Sequence, residues 1–185
     1  LAAQGDGTEQ ALLATVRAAV PDEGITVFDM TILGYWAAPH LPVERANSFL
    51  YPLGSGTLGY AWPAAIGAKV GSPDAPVLAV HGDGGFMYAS QELASARQNG
   101  IAAKLLLVDD GRYGILGVYQ DAAFGAPYAI DLAGPDLAAL AAAHGVPCFP
   151  CAPDGLEEAL AATFAAEGPA VCLLRHPLRV ADPTP

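Results

Sequence analysis

Val77-Leu78-Ala79-Val80 runs straight into His81-Gly82-Asp83-Gly84-Gly85, and further on Leu105-Leu106-Leu107-Val108 runs straight into Asp109-Asp110-Gly111-Arg112-Tyr113-Gly114. Short, unbroken apolar runs of this kind suit strands buried on both faces of a parallel sheet. In an open α/β sheet, ligands bind beyond the carboxyl ends of the strands. Two neighbouring strands would thus each deliver an aspartate to the ligand-binding edge. Gly84 and Gly85 leave backbone amides bare ahead of a helix, a setting that favours an anion. Carboxylates beside an anion repel it unless a cation lies between them. Mg²⁺ suits that place, because it takes one or two carboxylates together with phosphate oxygens in an octahedral shell. From the residues alone, the stretch reads as a site for a metal–diphosphate cofactor.

The remaining chain alternates helix and strand patterns outward from this unit. Leu12, Leu13, Val16 and Val20 share one face of a helix over residues 8–20, which turns at Pro21-Asp22-Glu23-Gly24. A strand is expected over 25–29, a short helix capped by Thr31 through Ala38, a loop from Pro39 to Ala46, and a strand over 48–51. A helix is expected over 57–69, with Leu58, Trp62, Ala65 and Ile66 as its buried stripe and Pro63 in its early part. After Tyr113 a mobile loop or short helix is expected up to Pro135, marked by Gly114, Gly117, Gly125 and Pro127. Then follow a helix ended by Gly145, a strand over 146–149, a helix spanning Leu156 to Phe164, and a last strand over 171–174 with a proline-bearing tail. Six strands alternating with helices predict a doubly wound, mainly parallel sheet covered on both faces. No internal repeat, low-complexity tract or linker is present, so residues 1–185 read as one domain.

Composition narrows the function. Hydrophobic residues make up 53% of the 185 and charged residues 15%, which excludes a disordered chain. That apolar share exceeds the needs of a solitary domain and implies surface buried against partner domains. The net charge of −11, with only eight Lys and Arg, excludes nucleic acid and anionic membrane as partners. No run approaches the roughly 18 apolar residues of a membrane span. The opening Leu1-Ala2-Ala3-Gln4-Gly5-Asp6 lacks a Met and a basic region, so it reads as a piece of a longer protein and not as a signal peptide. The three cysteines are an odd number, which points to a reducing, cytoplasmic compartment. Cys148-Phe149-Pro150-Cys151 has C-x-x-C spacing but no second such pair, and reads as small apolar residues near a strand end.

The order of motifs resembles the thiamine diphosphate (ThDP) signature, in which Gly-Asp-Gly precedes an Asn pair by somewhat over twenty residues; here 24 residues separate Gly84 from Asp109. The resemblance extends upstream through Tyr51 to Lys69 and downstream into Gln91-Glu92-Leu93-Ala94. The chain is similar to the C-terminal, diphosphate-binding domain of acetolactate synthases and 2-oxo-acid decarboxylases. That resemblance implies Mg²⁺ held by Asp83, by Asp110 in the place of the second Asn, and by the main-chain carbonyl of Arg112. It implies that Gly56 offers its carbonyl to the aminopyrimidine and that Leu58 wedges behind the bent cofactor. Thr31, Ile32, Thr57, Gly84, Gly85, Tyr88, Tyr113, Gly114 and Ile115 fall at further cofactor-contact positions. Asp109 stands where the family has its first Asn; an ionised Asp only accepts hydrogen bonds, whereas Asn also donates. His81 reads as a hydrogen-bonded histidine and Glu92 as structural.

The resemblance further implies that the activating glutamate lies on a pyrimidine-binding domain of the same or another subunit. This chain would then carry no catalytic group of its own, and the full-length protein would act on a small 2-oxo acid as a homodimer or homotetramer. Two alternatives stand beside this. Gly54-Ser55-Gly56-Thr57-Leu58-Gly59 satisfies G-x-G-x-x-G, which would suggest a nicotinamide-dinucleotide-binding Rossmann module. That reading needs a ribose-binding acid about 20 residues further on, where Asp74 comes early and Asp83 late. The Asp109-Asp110 pair would also fit a non-catalytic, ThDP-like domain with a degenerate metal site.

Overall fold

In the computed structural model, which describes residues 7–180, six strands form one sheet. They are β1 (Ile25–Phe28), β2 (Phe49–Leu50), β3 (Val77–Gly82), β4 (Lys104–Asp109), β5 (Cys148–Cys151) and β6 (Ala170–Arg175). Their order is β2-β1-β3-β4-β6-β5, and neighbouring strands pair in parallel throughout. The helices are α1 (Thr8–Ala19), α2 (Ile32–His40), α3 (Ala61–Gly71), α4 (Asp83–Phe86), α5 (Glu92–Gln98), α6 (Gly114–Phe124), α7 (Leu137–Ala143) and α8 (Leu156–Ala165). The opening residues 1–6, expected above to carry no leader, and the end of the proline-bearing tail lie outside the described residues.

The two apolar runs at the centre are β3 and β4. Val80 stands opposite Leu106 and Gly82 opposite Val108, so both acidic stretches leave the sheet at the same edge. Successive side chains on a strand point to opposite faces. Leu78, Val80, Leu106, Val108, Cys172 and Leu174 pack against α1, α2 and α8. Val77, Ala79, Leu105, Leu107, Val171 and Leu173 pack against α3, α5 and α7. Both faces are covered, which is why the runs are unbroken and do not alternate.

The structure departs from the sequence expectations at several element ends, each for a local reason. The 57–69 helix begins only at Ala61, so Leu58 lies in the preceding turn and not on the helical stripe. The helix after Thr31 continues through Pro39 to His40; Thr31 occupies the cap position but its side chain makes no capping bond. Proline in the last turn forfeits only its own amide bond, and Leu41 N still donates to Ala37 O at 2.8 Å. The last short strand before α8 is Cys148–Cys151 and not 146–149. Gly145, at φ +67°, closes α7, and Val146 N donates back to Ala141 O, so Val146 belongs to the helix cap. The segment after Tyr113 is a regular helix, α6, ended by Gly125 at φ +75°. Only Gly117 of α6 is buried, so no apolar stripe announces this helix in the sequence.

Cys148 and Cys151, three apart on a strand, face opposite cores. They therefore cannot share a metal or a disulfide, and all three cysteines are free. Pro150 is tolerated because β5 is an edge strand. No described helix is long and apolar enough to cross a membrane.

Candidate functional site

From β1 the chain moves outward to β2, then returns to place β3 on the other side of β1. At such a reversal, the loops beyond the carboxyl ends diverge and leave a crevice. A cavity of about 210 Å³ lies there. Its walls come from the β1–α2 turn, the glycine-rich turn before α3, the β3–α4 junction and the β4–α6 junction. Thr31, Ile32, Gly56, Leu58, Asp83, Gly84, Gly85, Asp110, Arg112, Tyr113, Gly114 and Ile115 all line it. Thr57 does not; its hydroxyl pairs with Ser55 at 3.0 Å on the exposed side of the turn. Tyr88 does not either, being 63% exposed and packed beside Gly59. Met30, Tyr35, Gly82 and Leu116 also line the cavity, although sequence reasoning passed them over. Tyr35 is one helical turn beyond Thr31, a spacing that could have revealed it. The Tyr35 and Tyr119 hydroxyls are in contact, tying α2 to α6; burial first, then Tyr119, raises the Tyr35 phenol above its ordinary value.

Asp83 opens α4 and Asp110 follows β4, and their carboxyl groups touch. Asp83 Oδ2 also accepts from Gly111 N at 3.1 Å, and Asp110 accepts from the Arg112 amide. Burial, followed by the charge of Asp83, pushes the Asp110 carboxyl up to about 7. Burial likewise raises Asp83. Two carboxyl groups this close share a proton when no cation lies between them. The donor set therefore fits a hard divalent ion, which would take the place of that proton. The turn carrying Arg112 is held by strand-like pairing: Tyr113 N donates to Ile130 O and Leu132 N to Gly111 O, both at 2.8 Å. One expectation needs adjusting. The helix after Gly82 is a single turn, four residues long, so an anion there would rest on individual amides and not on a helix dipole.

Asp109 does not line this cavity. It lines an adjoining hollow, which shares Asp83, Gly84 and Tyr113 with the cavity, and its Oδ2 lies 3.8 Å from Arg175 Nε. Asp109 does not stand among the cavity-lining groups, but its charge still bears on Asp83 and, after burial, helps to raise that carboxyl.

A second buried carboxylate escaped the sequence reading. Asp29, at the end of β1, is fully buried. Its Oδ2 accepts from Gly59 N and its Oδ1 from Tyr60 N, both at 3.0 Å. His81 Nδ1 lies 2.9 Å from Asp29 Oδ2, outside hydrogen-bond geometry, and His81 Nε2 accepts from Trp62 N at 2.8 Å. Burial alone would raise Asp29, but His81 and the two amides outweigh it and hold the carboxyl below its ordinary value. The start of α3 is therefore capped by side chains from β1 and β3, since Tyr60 provides no capping bond of its own. An acidic cluster following a strand-like run was the signal that singled out Asp83, and Asp29 likewise follows a strand-like run, Ile25-Thr26-Val27-Phe28.

The acid pair makes the stability of the metal-free chain pH-dependent. The Asp110 carboxyl titrates near 7 in the folded chain and near the ordinary value of 3.8 in the unfolded one. Between those values the folded chain retains a proton that the unfolded chain has lost, so stability falls as pH rises and levels off above about 7. Melting curves in EDTA from pH 4.5 to 8 should show a drop of roughly several degrees in the wild type relative to Asp110→Asn. Mg²⁺ should remove it. A flat difference between the two proteins would refute the shared proton.

Fold and cleft together define a parallel α/β domain with a cleft at its switch point whose donor set fits a metal–anion group. Residues 29–173 match the model of the family described as thiamine pyrophosphate enzyme, C-terminal TPP binding domain. The chain is 38% identical over 173 residues to the probable 2-ketoarginine decarboxylase AruI of Pseudomonas aeruginosa, covering 90% of this chain and 30% of that protein. It is 33% identical over 128 residues to the acetolactate synthase isozyme 2 large subunit of Escherichia coli, covering 68% of this chain and 23% of that one. Among solved structures it is similar to the thiamine diphosphate-dependent 4-hydroxybenzoylformate decarboxylase of Rhodococcus jostii RHA1, with TM-score 0.84 and 30% identity over 93% of this chain and 33% of that chain. The chain belongs to the thiamine pyrophosphate enzyme family as a C-terminal TPP-binding domain. It spans a third or less of the length of the relatives it matches. The Rossmann alternative finds no support: the glycine run follows β2 at the sheet edge, and the strand order is not that of a dinucleotide-binding sheet.

Proposed function

We propose that this chain holds the diphosphate–Mg²⁺ end of ThDP within an enzyme that acts on a small 2-oxo acid, by decarboxylation or by acetolactate-synthase-like carboligation. The observation that carries the reading is the contact between Asp83 and Asp110 at the floor of the switch-point cleft. Asp83, Asp110 and the Arg112 carbonyl would hold the metal; the Gly56 carbonyl and Leu58 would receive the aminopyrimidine end. Bound ThDP supplies the electron sink for breaking or making the bond at the keto carbon. The chain's part is to bind and orient, and to exclude water with Ile32, Ile115 and Leu116, which line the cavity.

The domain would act beside a pyrimidine-binding domain that carries the activating glutamate, from the same or another subunit, in a cytoplasmic homodimer or homotetramer. Exposed apolar side chains on α6 and next to α4 support such docking: Leu116, Val118, Tyr119 and Phe124 on the former, Met87 and Tyr88 by the latter. Patches of this kind mark contact surfaces. Calorimetry on the full-length protein tests the reading: ThDP with Mg²⁺ should bind and NAD should not. The isolated chain, given ThDP, Mg²⁺ and pyruvate, should show no turnover; turnover there would end the half-site idea.

A further inference from the structure

We propose that the buried Asp29–His81 pair is a positioning pair: it suspends the turn of residues 54–60 from the sheet and so sets where the Gly56 carbonyl and the Leu58 side chain stand in the cleft. This rests on the cofactor reading above and deepens it. Neither Asp29 nor His81 lines the cavity, and both are fully buried. A buried carboxylate is costly unless its oxygens are engaged. Here both oxygens accept amides from the far end of that turn, and Oδ2 lies against the imidazole as well. The amide of Trp62 points at His81 Nε2, which must therefore be unprotonated; the ring proton sits on Nδ1, facing Asp29. With both oxygens and Nε2 hydrogen-bonded, Nδ1 packed 2.9 Å from Asp29 Oδ2, and neither side chain lining the cavity, the pair is built to hold and not to relay a proton.

The turn needs such an anchor. Its own hydrogen bonds are local: Leu53 N to Tyr51 O, Gly56 N to Pro52 O, and Ser55 with Thr57. Gly54, Gly56 and Gly59 have φ of +101°, +61° and +81°, conformations that glycine alone adopts cheaply and that cost it much freedom to fix. Among the described residues, the bonds that tie its end to the sheet are those of Asp29 and, one residue into α3, His81. The metal end is held separately, by Asp83, Asp110 and Gly111. Loosening the pair should therefore harm one end of the cleft and spare the other.

The test uses the full-length protein carrying Asp29→Asn, whose amide would set a donor against a backbone donor. Hydrogen exchange at Gly59 and Tyr60 should quicken about 100-fold, while β4 amides stay unchanged. Calorimetry should show ThDP with Mg²⁺ weakened about 30-fold and Mg²⁺–pyrophosphate, which lacks the pyrimidine, altered less than about threefold. Equal weakening of both ligands, or no weakening of ThDP, overturns the proposal. A wild-type protein that takes up pyrophosphate but not ThDP overturns the cofactor reading instead, and the exchange rates still decide whether the pair holds the turn. Should Asp29→Asn not fold, His81→Leu and His81→Gln replace it. Leucine should quicken exchange at Trp62 about 30-fold, and glutamine, with one donor and one acceptor, should recover most of the loss. Wild-type exchange in His81→Leu overturns the proposal.

Discussion

Asp83→Ala in the full-length protein abolishes Mg²⁺-dependent ThDP binding, with a loss of about a hundredfold or more in affinity. Two effects combine. The substitution removes one carboxylate from the pair that would grip the ion. It also frees Gly111 N, which Asp83 Oδ2 holds at 3.1 Å, and so loosens the turn bearing Asp110 and Arg112. Asp110→Asn, which restores the amide of the family pattern, should by contrast stay within about tenfold of wild type, because either side chain presents an oxygen to the metal. Isothermal titration of ThDP at fixed Mg²⁺ measures both. Unchanged affinity in Asp83→Ala would remove Asp83 from the metal site.

Gly85→Ala destabilises the domain by about 3 kcal/mol, the upper part of the range for overpacking a buried site. An added methyl would run into Asp29 Oδ2. That oxygen cannot retreat, since it accepts from Gly59 N and its partner oxygen from Tyr60 N. Relief would require breaking the cap of α3 or moving β1 from β3. Denaturant unfolding should show the midpoint falling with little change in slope. Asp29→Ala combined with Gly85→Ala should lose less than the sum of the single changes, because the clash disappears with the carboxylate. Strict additivity would show that the two positions do not meet. In the sequence, Gly84 and Gly85 looked like bare amides for an anion; at Gly85, clearance for Asp29 is a second and independent demand.

Much of the site was legible before the structure because its parts lie at strand tips. An apolar run followed by Gly-Asp-Gly places Asp83 at the edge of β3, and the second run places Asp110 at the edge of β4. Gly56 and Leu58 came from the ordered resemblance, and both border the cleft. Other features had no local signature. The start of α3 at Ala61 depends on Asp29, 31 residues before Tyr60 in the chain, and on His81, 19 residues beyond Trp62. No window around residue 60 contains either side chain. The cation beside Asp109, Arg175, is brought alongside only by the pairing of β4 with β6. The helix α6 carries no apolar period, because its outward face remains open.

By itself, the sequence determined the parallel α/β class, the strands at the centre and which acidic residues stand at their tips. Those follow from hydrophobic runs and short motifs, and both act over a few residues. Only the tertiary structure decided that Asp83 and Asp110 touch, that Asp109 stays out of the cavity lining, and that Asp29 and His81 cap a distant helix. Those depend on strand order and on the satisfaction of buried polar groups, which are properties of the assembled sheet and not of any one segment.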